Sequence, residues 1–224
     1  AISTASVLLA AHDEEAGIAS RIENLLSQEG VLEILVASDG STDLTQEILR
    51  DLAAGDARLR FFPLPRGGKV AALRFLARQA RGEALVLTDA NTRFDPGTVR
   101  ALAAALADPA TGAACGDLRL EAASSAGEGE ATYWSYETWI KKNASRAGLL
   151  LMGAGGVYAV RRADWLRIEE TLPIPPDYAD DQIWSLSLAG GDPPAPALHT
   201  TYGLRARDMR LFPGFREGET AITD

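Results

Sequence analysis

The chain has 224 residues, of which 46% are hydrophobic and 24% charged, with a formal net charge of −9 at pH 7. That length and balance fit one globular domain with a substantial core and exclude disorder or low complexity over most of the chain. The acidic excess argues against a nucleic-acid binder, whose surface must neutralise phosphates, and means that any phosphate-bearing ligand needs local positive groups or a bound metal.

A single cysteine, Cys115, excludes an internal disulfide and a multi-cysteine metal site, and fits a reducing compartment. No run reaches the roughly 18 apolar residues that cross a bilayer. The expectation is a soluble, cytoplasmic chain. It opens on Ala1 rather than Met, so association with the inner face of the cell membrane through segments outside the chain stays compatible with it.

In chain order, the apolar run Ser6–Ala10 predicts a strand, and Glu14–Gln28 predicts a helix through Ile18, Ile22, Leu25 and Leu26. Leu32–Ala37 predicts a second strand and Asp43–Ala53 a second helix, with Ser41-Thr42-Asp43 as capping residues. Leu59–Leu64 and Leu85–Thr88 predict two more strands around a helix carrying Val70, Leu73 and Leu76, and Pro96 opens a further helix. The fold class is therefore α/β: a mainly parallel sheet flanked by helices, with ligands bound beyond the carboxyl ends of the strands. After about residue 120 the alternation stops. Residues 122–131 read as a surface loop, 132–147 as an aromatic helix, Met152–Gly156 as a glycine-rich turn into the strand Val157–Val160, and Asp177–Ala189 as a helix behind a Pro173–Pro176 linker. One domain over 1–224 is expected, with a first half (1–120) for a nucleotide and a second (121–224) packed on its sheet edge.

The polar residues at strand ends are the candidates for chemistry. Asp89 and Asn91, two oxygen-bearing side chains two residues apart beyond a buried strand, can hold a hard divalent cation shared with a diphosphate, or can simply shape a loop. Asp39 can accept hydrogen bonds from a nucleobase or ribose, or serve a turn and helix cap. Lys69 follows Gly67-Gly68, where a cation can meet a phosphate or base, although the spacing is not that of a P-loop. Asp180-Asp181 can divide labour, with one carboxylate as a general base, or can complement a helix dipole. Trp184 and the aromatics of Tyr133–Trp139 can stack on a sugar or fill a core. His199 is a candidate third metal ligand or a locally bonded histidine.

In their order and spacing these segments resemble the family 2 glycosyltransferases of the GT-A fold, in particular bacterial membrane-associated synthases, over nearly the whole chain to about Gly191. Val7–Glu15 is similar to the family's first strand and P-A-Y-N-E-E segment. Val36–Asp43 is similar to V-D-D-G-S-T-D, Arg66–Leu73 to K-G-K-x-x-A-L, and Thr88–Asn91 stands at the D-x-D position. Tyr133–Glu137, Gly153–Arg162 and Asp180-Asp181 resemble later elements.

The resemblance implies an inverting transfer of sugar from a nucleotide-sugar donor, most often a UDP-sugar, to a glycan or lipid-linked acceptor. It implies donor contacts from Ala10, Ala11, Glu14, Asp39, Lys69 and Asp89, and Mg2+ or Mn2+ at Asp89 and Asn91. Asp181 would be the general base, and Gly155, Gly156, Asp180 and Trp184 would shape the acceptor side. Arg207 and Arg210 would reach the diphosphate. Ala10 replaces the family's proline, Asn91 replaces its second aspartate, and the Q-x-x-R-W motif of processive members is missing. Two other functions stay open on the sequence: nucleotidyl transfer, and a catalytically silent carbohydrate- or nucleotide-binding domain.

Overall fold

Among the described residues, each predicted apolar run becomes a strand and each predicted amphipathic stretch a helix. The computed structural model describes residues 2–109, 111–116, 156–171 and 197–198. Within them lie β1 (Ala5–Ala11), α1 (Ile18–Leu26), β2 (Val31–Asp39), α2 (Thr45–Gly55), β3 (Leu59–Leu64), α3 (Lys69–Gln79), β4 (Ala84–Thr88), α4 (Thr98–Ala105), β5 (Thr111–Cys115), β6 (Val157–Arg161), α5 (Arg162–Thr171) and the two-residue β7 (Ala197–Leu198). The expected segments at 122–131, 132–147 and 177–189 lie outside the described residues.

The strands form one sheet in the order β3-β2-β1-β4-β6-β5-β7. β1 to β4 run parallel, and β6 is antiparallel to both β4 and β5. Both faces are covered, so the central strands are apolar on both sides. Leu8, Leu35, Leu85 and Leu87 pack with α3 and α5, through Leu73, Leu76, Trp165 and Ile168. Val7, Leu9, Ile34, Val36 and Val86 pack on the other face with Ile18, Ile22 and Leu25 of α1, Leu49 of α2, and Val99 and Leu102 of α4. Pro63 is accommodated because β3 is an edge strand with β2 as its partner.

Two differences from the sequence expectation have local causes. The first helix begins at Ile18, not Glu14: residues 15–17 form a lead-in turn in which the Glu14 carbonyl accepts from the N–H groups of Gly17 and Ile18. The residues after Arg161 continue directly as α5, whose buried face rests on few apolar side chains, Trp165 and Ile168 among them, so its helical period is faint. Among the described residues no helix is long and apolar enough to cross a membrane.

At the amino end of the sheet Glu33 is fully buried. It accepts from Ser6 Oγ at 2.8 Å, Arg60 Nη1 at 2.8 Å, and the Arg81 backbone N–H and Nε at 2.7 and 2.9 Å. Burial by itself would raise its pKa, but the hydrogen bonds from Arg60, Ser6 and Arg81 outweigh it, and the carboxyl lies below the usual 4.5. A depressed folded pKa stabilises the fold above the unfolded value, and that contribution is lost as the pH falls through the folded one. Glu33→Gln is expected to cost about 3 kcal/mol near pH 7, since it strands buried donors. Urea unfolding of both proteins from pH 7 to pH 3 checks this, with the gap closing in acid.

Candidate active site

The carboxyl ends of β1, β2, β3 and β4 share one edge of the sheet, and the loops that leave them are laced together. Asp13, at a left-handed φ of 53°, accepts the Thr42 N–H at 2.7 Å on Oδ1, and its own N–H donates to Ser41 Oγ at 3.2 Å. The Glu14 N–H donates to Thr45 Oγ1 at 2.8 Å, the Glu15 N–H to Asp43 Oδ2 at 3.0 Å, and the Leu44 N–H to Glu15 Oε2 at 3.0 Å. Asp43 also accepts the Thr45 N–H at 3.0 Å, at the first residue of α2. The carboxylates of Asp13, Glu15 and Asp43 thus serve as acceptors for the backbone of these two loops. They fix the rim on which Ala10 and Ala11 end β1.

Asp39 ends β2 and is only 4% exposed. Its Oδ1 accepts the Gly67 N–H at 2.6 Å, the Gly68 N–H lies 3.0 Å from Oδ2, and Arg66 Nη1 approaches Oδ2 at 3.2 Å. The carboxylate therefore organises the glycine loop that delivers Lys69 to the first turn of α3. His12 Nδ1 reaches the Asp39 carbonyl at 2.9 Å from β1's side.

The loop also needs Gly40. Its φ is +65°, and a Cβ there would sit 2.9 Å from the backbone N of Arg66. Gly40→Ala is accordingly expected to displace the 66–68 loop and destabilise the protein by about 1–3 kcal/mol. Urea unfolding of the variant measures it.

Lys69 reaches across to β4, where its Nζ lies 2.8 Å from Asp89 Oδ1, both side chains being partly exposed. Asp89 is tied to β6 as well: its N–H points to the Gly156 carbonyl at 3.4 Å, and Thr88 Oγ1 donates to the same carbonyl at 2.8 Å. The sequence-predicted Asp39, Lys69, Asp89 and Gly156 are thus joined through direct contacts along one strand-end edge, with Asn91 exposed in the turn just beyond. Gly155, Asp180, Asp181, Trp184, His199, Arg207 and Arg210 lie outside the described residues.

Sequence reasoning missed Arg21. This residue is 4% exposed on the inner face of α1, beneath Asp89. Burial lowers its pKa to about 10 and the charge of Asp89 acts to raise it, so it remains protonated near neutral pH. The available signal was an arginine at helical spacing between Ile18 and Leu25, on the apolar stripe.

The donor set at the end of β4 is a carboxylate and an amide, both hard oxygen ligands. Among the described residues no group of three His, Cys, Asp or Glu side chains is poised to cage a metal. Mg2+ and similar ions characteristically keep waters and take one or two carboxylates plus substrate phosphates. Asp89 and Asn91 fit an ion of that kind. Lys69, with the exposed Arg66 beside Asp39, supplies positive charge for a phosphate at this edge.

Residues 6–167 match the family described as Glycosyl transferase family 2. An N-acetylglucosaminyltransferase of Rhizobium leguminosarum bv. trifolii is 36% identical over 95 residues, covering 41% of this chain and 52% of that protein. The chain thus spans about half the length of this curated relative. The fold is similar to that of the mannosyltransferase PcManGT from Pyrobaculum calidifontis, solved with GDP-Man and Mn2+, at a TM-score of 0.61 and 24% identity over 83% of this chain and 50% of that one. It is also similar to glucosyl-3-phosphoglycerate synthase from Mycobacterium tuberculosis, solved with Mn2+, UDP and glucosyl-3-phosphoglycerate, at 0.59 and 23% over 91% and 71%. At these identities the likeness shows the fold, GT-A.

Proposed function

The chain belongs to glycosyl transferase family 2, and from that premise we propose that it transfers a sugar from a nucleotide-sugar donor, a UDP-sugar, to a hydroxyl of a glycan or lipid-linked acceptor, with inversion at the anomeric carbon. The observation that carries the proposal is the meeting of Asp39, the Gly67-Gly68 loop, Lys69 and Asp89 on one strand-end edge, with Lys69 and Asp89 2.8 Å apart. A nucleoside would lie against Asp39 and its glycine loop, near Ala10, Ala11 and Glu14. Its diphosphate would reach Lys69 and Asp89.

When bound, Mg2+ or Mn2+ would supply charge neutralisation on the leaving diphosphate, held by Asp89 and Asn91. Lys69 is attracted to both Asp89 and a phosphate, so donor binding would exchange one ion pair for another rather than expose a charge. Asp181 would take the proton of the acceptor hydroxyl. Gly156, whose carbonyl is bonded to Thr88, would carry the acceptor-side turn to the same place, with Gly155, Asp180 and Trp184 beside it. Arg207 and Arg210 would add positive charge at the diphosphate. A cytoplasmic setting at the inner face of the membrane, where a lipid-linked acceptor is met, belongs to the same proposal.

The test is release of UDP from a panel of nucleotide sugars in Mn2+. UDP-N-acetylglucosamine comes first because the curated relative bears that sugar in its name. Turnover with one donor is the expected result. No release with any donor, together with no UDP binding by calorimetry, would sink the proposal.

A further inference from the structure

Arg21 belongs to the buried face of α1 with Ile18, Ile22 and Leu25. A charge in such a place costs desolvation, and an apolar side chain of similar volume would pack there without that cost. What the guanidinium adds is direction. Nη2 donates to Thr88 Oγ1 at 2.6 Å, Nε to the Asp89 carbonyl at 3.3 Å, and Nη1 to Asn24 Oδ1 at 2.6 Å. None of these acceptors is a carboxylate. The planar group also stacks over Phe94, 4.4 Å from the ring centroid.

Asn24, one helical turn on, extends the grip. Its Oδ1 accepts the Phe94 N–H at 2.8 Å and its Nδ2 donates to the Phe94 carbonyl at 2.9 Å. Thr88 passes the connection to Gly156, the residue before β6. The turn from Thr88 to Phe94, which carries Asp89 and Asn91, is therefore held at both ends from beneath by one helix.

We propose that Arg21 is a positioning residue of the donor site: by fixing the Asp89 peptide and the following turn, it sets the Asp89 carboxylate and the Asn91 amide for a metal-bound diphosphate. The inference rests on the reading of Asp89 as a metal ligand. Arg21 itself touches neither metal nor donor.

Calorimetric titration of UDP, in MnCl2 and separately in EDTA, measures the metal-dependent gain in affinity for the wild type, Arg21→Lys and Thr88→Val. Lysine keeps the charge but not the fork of directed bonds. In Arg21→Lys the gain is expected to fall about tenfold, the usual scale for losing a group that orients a metal ligand, with affinity in EDTA unchanged. Thr88→Val, of similar shape, removes the acceptor of Arg21 Nη2 together with the bond to Gly156 and should show a smaller fall of the same kind; it carries the test alone if Arg21→Lys does not fold. Urea unfolding runs alongside. If the variants are less stable yet keep the whole gain, Arg21 is only a structural residue and the proposal is overturned. If the wild type shows no gain in Mn2+, the metal reading of Asp89 fails first and this proposal falls with it, a result distinct from the former.

Discussion

Asp89→Ala is expected to abolish the Mn2+-dependent share of UDP affinity and to lower kcat/KM by about 10²–10³-fold, equivalent to about 3–4 kcal/mol of lost charge stabilisation. Among the described residues no cluster of three potential ligand side chains stands by to replace it, and Asn91 alone offers a neutral amide oxygen. The variant has a second, opposite consequence. Lys69 Nζ loses the ion pair it makes with Asp89 at 2.8 Å, and removing a negative charge beside a phosphate site favours an anion. UDP should thus bind Asp89→Ala in EDTA at least as tightly as it binds the wild type, while Mn2+ adds nothing. Calorimetry in the two buffers separates these effects. An undiminished gain in Mn2+ would remove Asp89 from the metal site. Equal losses in both buffers would instead point to collapse of the β4 end.

The parallel half of this fold is legible because its strands, buried on both faces, read as unbroken apolar runs, and its helices carry Ile and Leu at regular spacing. The antiparallel extension is legible only in part: the predicted strand Val157–Val160 forms β6, but β5 gives no such sign. β5 is Thr-Gly-Ala-Ala-Cys, in which Gly and Ala have little strand preference of their own, and its place between β6 and β7 depends on long-range pairing that no local pattern records. The site divides in the same way. Asp39, Lys69 and Asp89 stand out because each follows a strand or a glycine pair. That Asp39 spends its carboxylate on the Gly67 and Gly68 amides could not be read from spacing, because the loop's return toward β2 is a tertiary fact. Arg21 escaped notice for a related reason. An arginine on a helix ordinarily reads as solvated, and only the end of β4, some 67 residues later in the chain, gives its guanidinium something to hold.

Asp181→Asn is expected to lower kcat by about 10³-fold, within the range that a positioned general base contributes, while leaving UDP affinity within about twofold of wild type, because a base acts on the acceptor hydroxyl rather than on the donor. The substitution keeps size but removes the charge and the ability to take a proton, and it turns one acceptor oxygen into a donor. Apart from Arg207 and Arg210, the donor contacts proposed above fall on Ala10 to Asn91, at the ends of the parallel strands, and Asp181 is not among them, so the variant should leave nucleotide binding nearly unchanged. The pH profile adds an independent criterion: wild-type kcat should rise with pH through the apparent pKa of the base, and the variant's residual rate should lose that limb. Asp180→Asn is the control, since on the helix that the sequence predicts over Asp177–Ala189 adjacent carboxylates would diverge by about 100° and could not both face one hydroxyl. A larger loss in Asp180→Asn would transfer the role to Asp180. A fall in UDP affinity as large as the fall in turnover would place the Asp181 side chain on the donor, and an acceptor-side base would then have to be sought elsewhere in the chain.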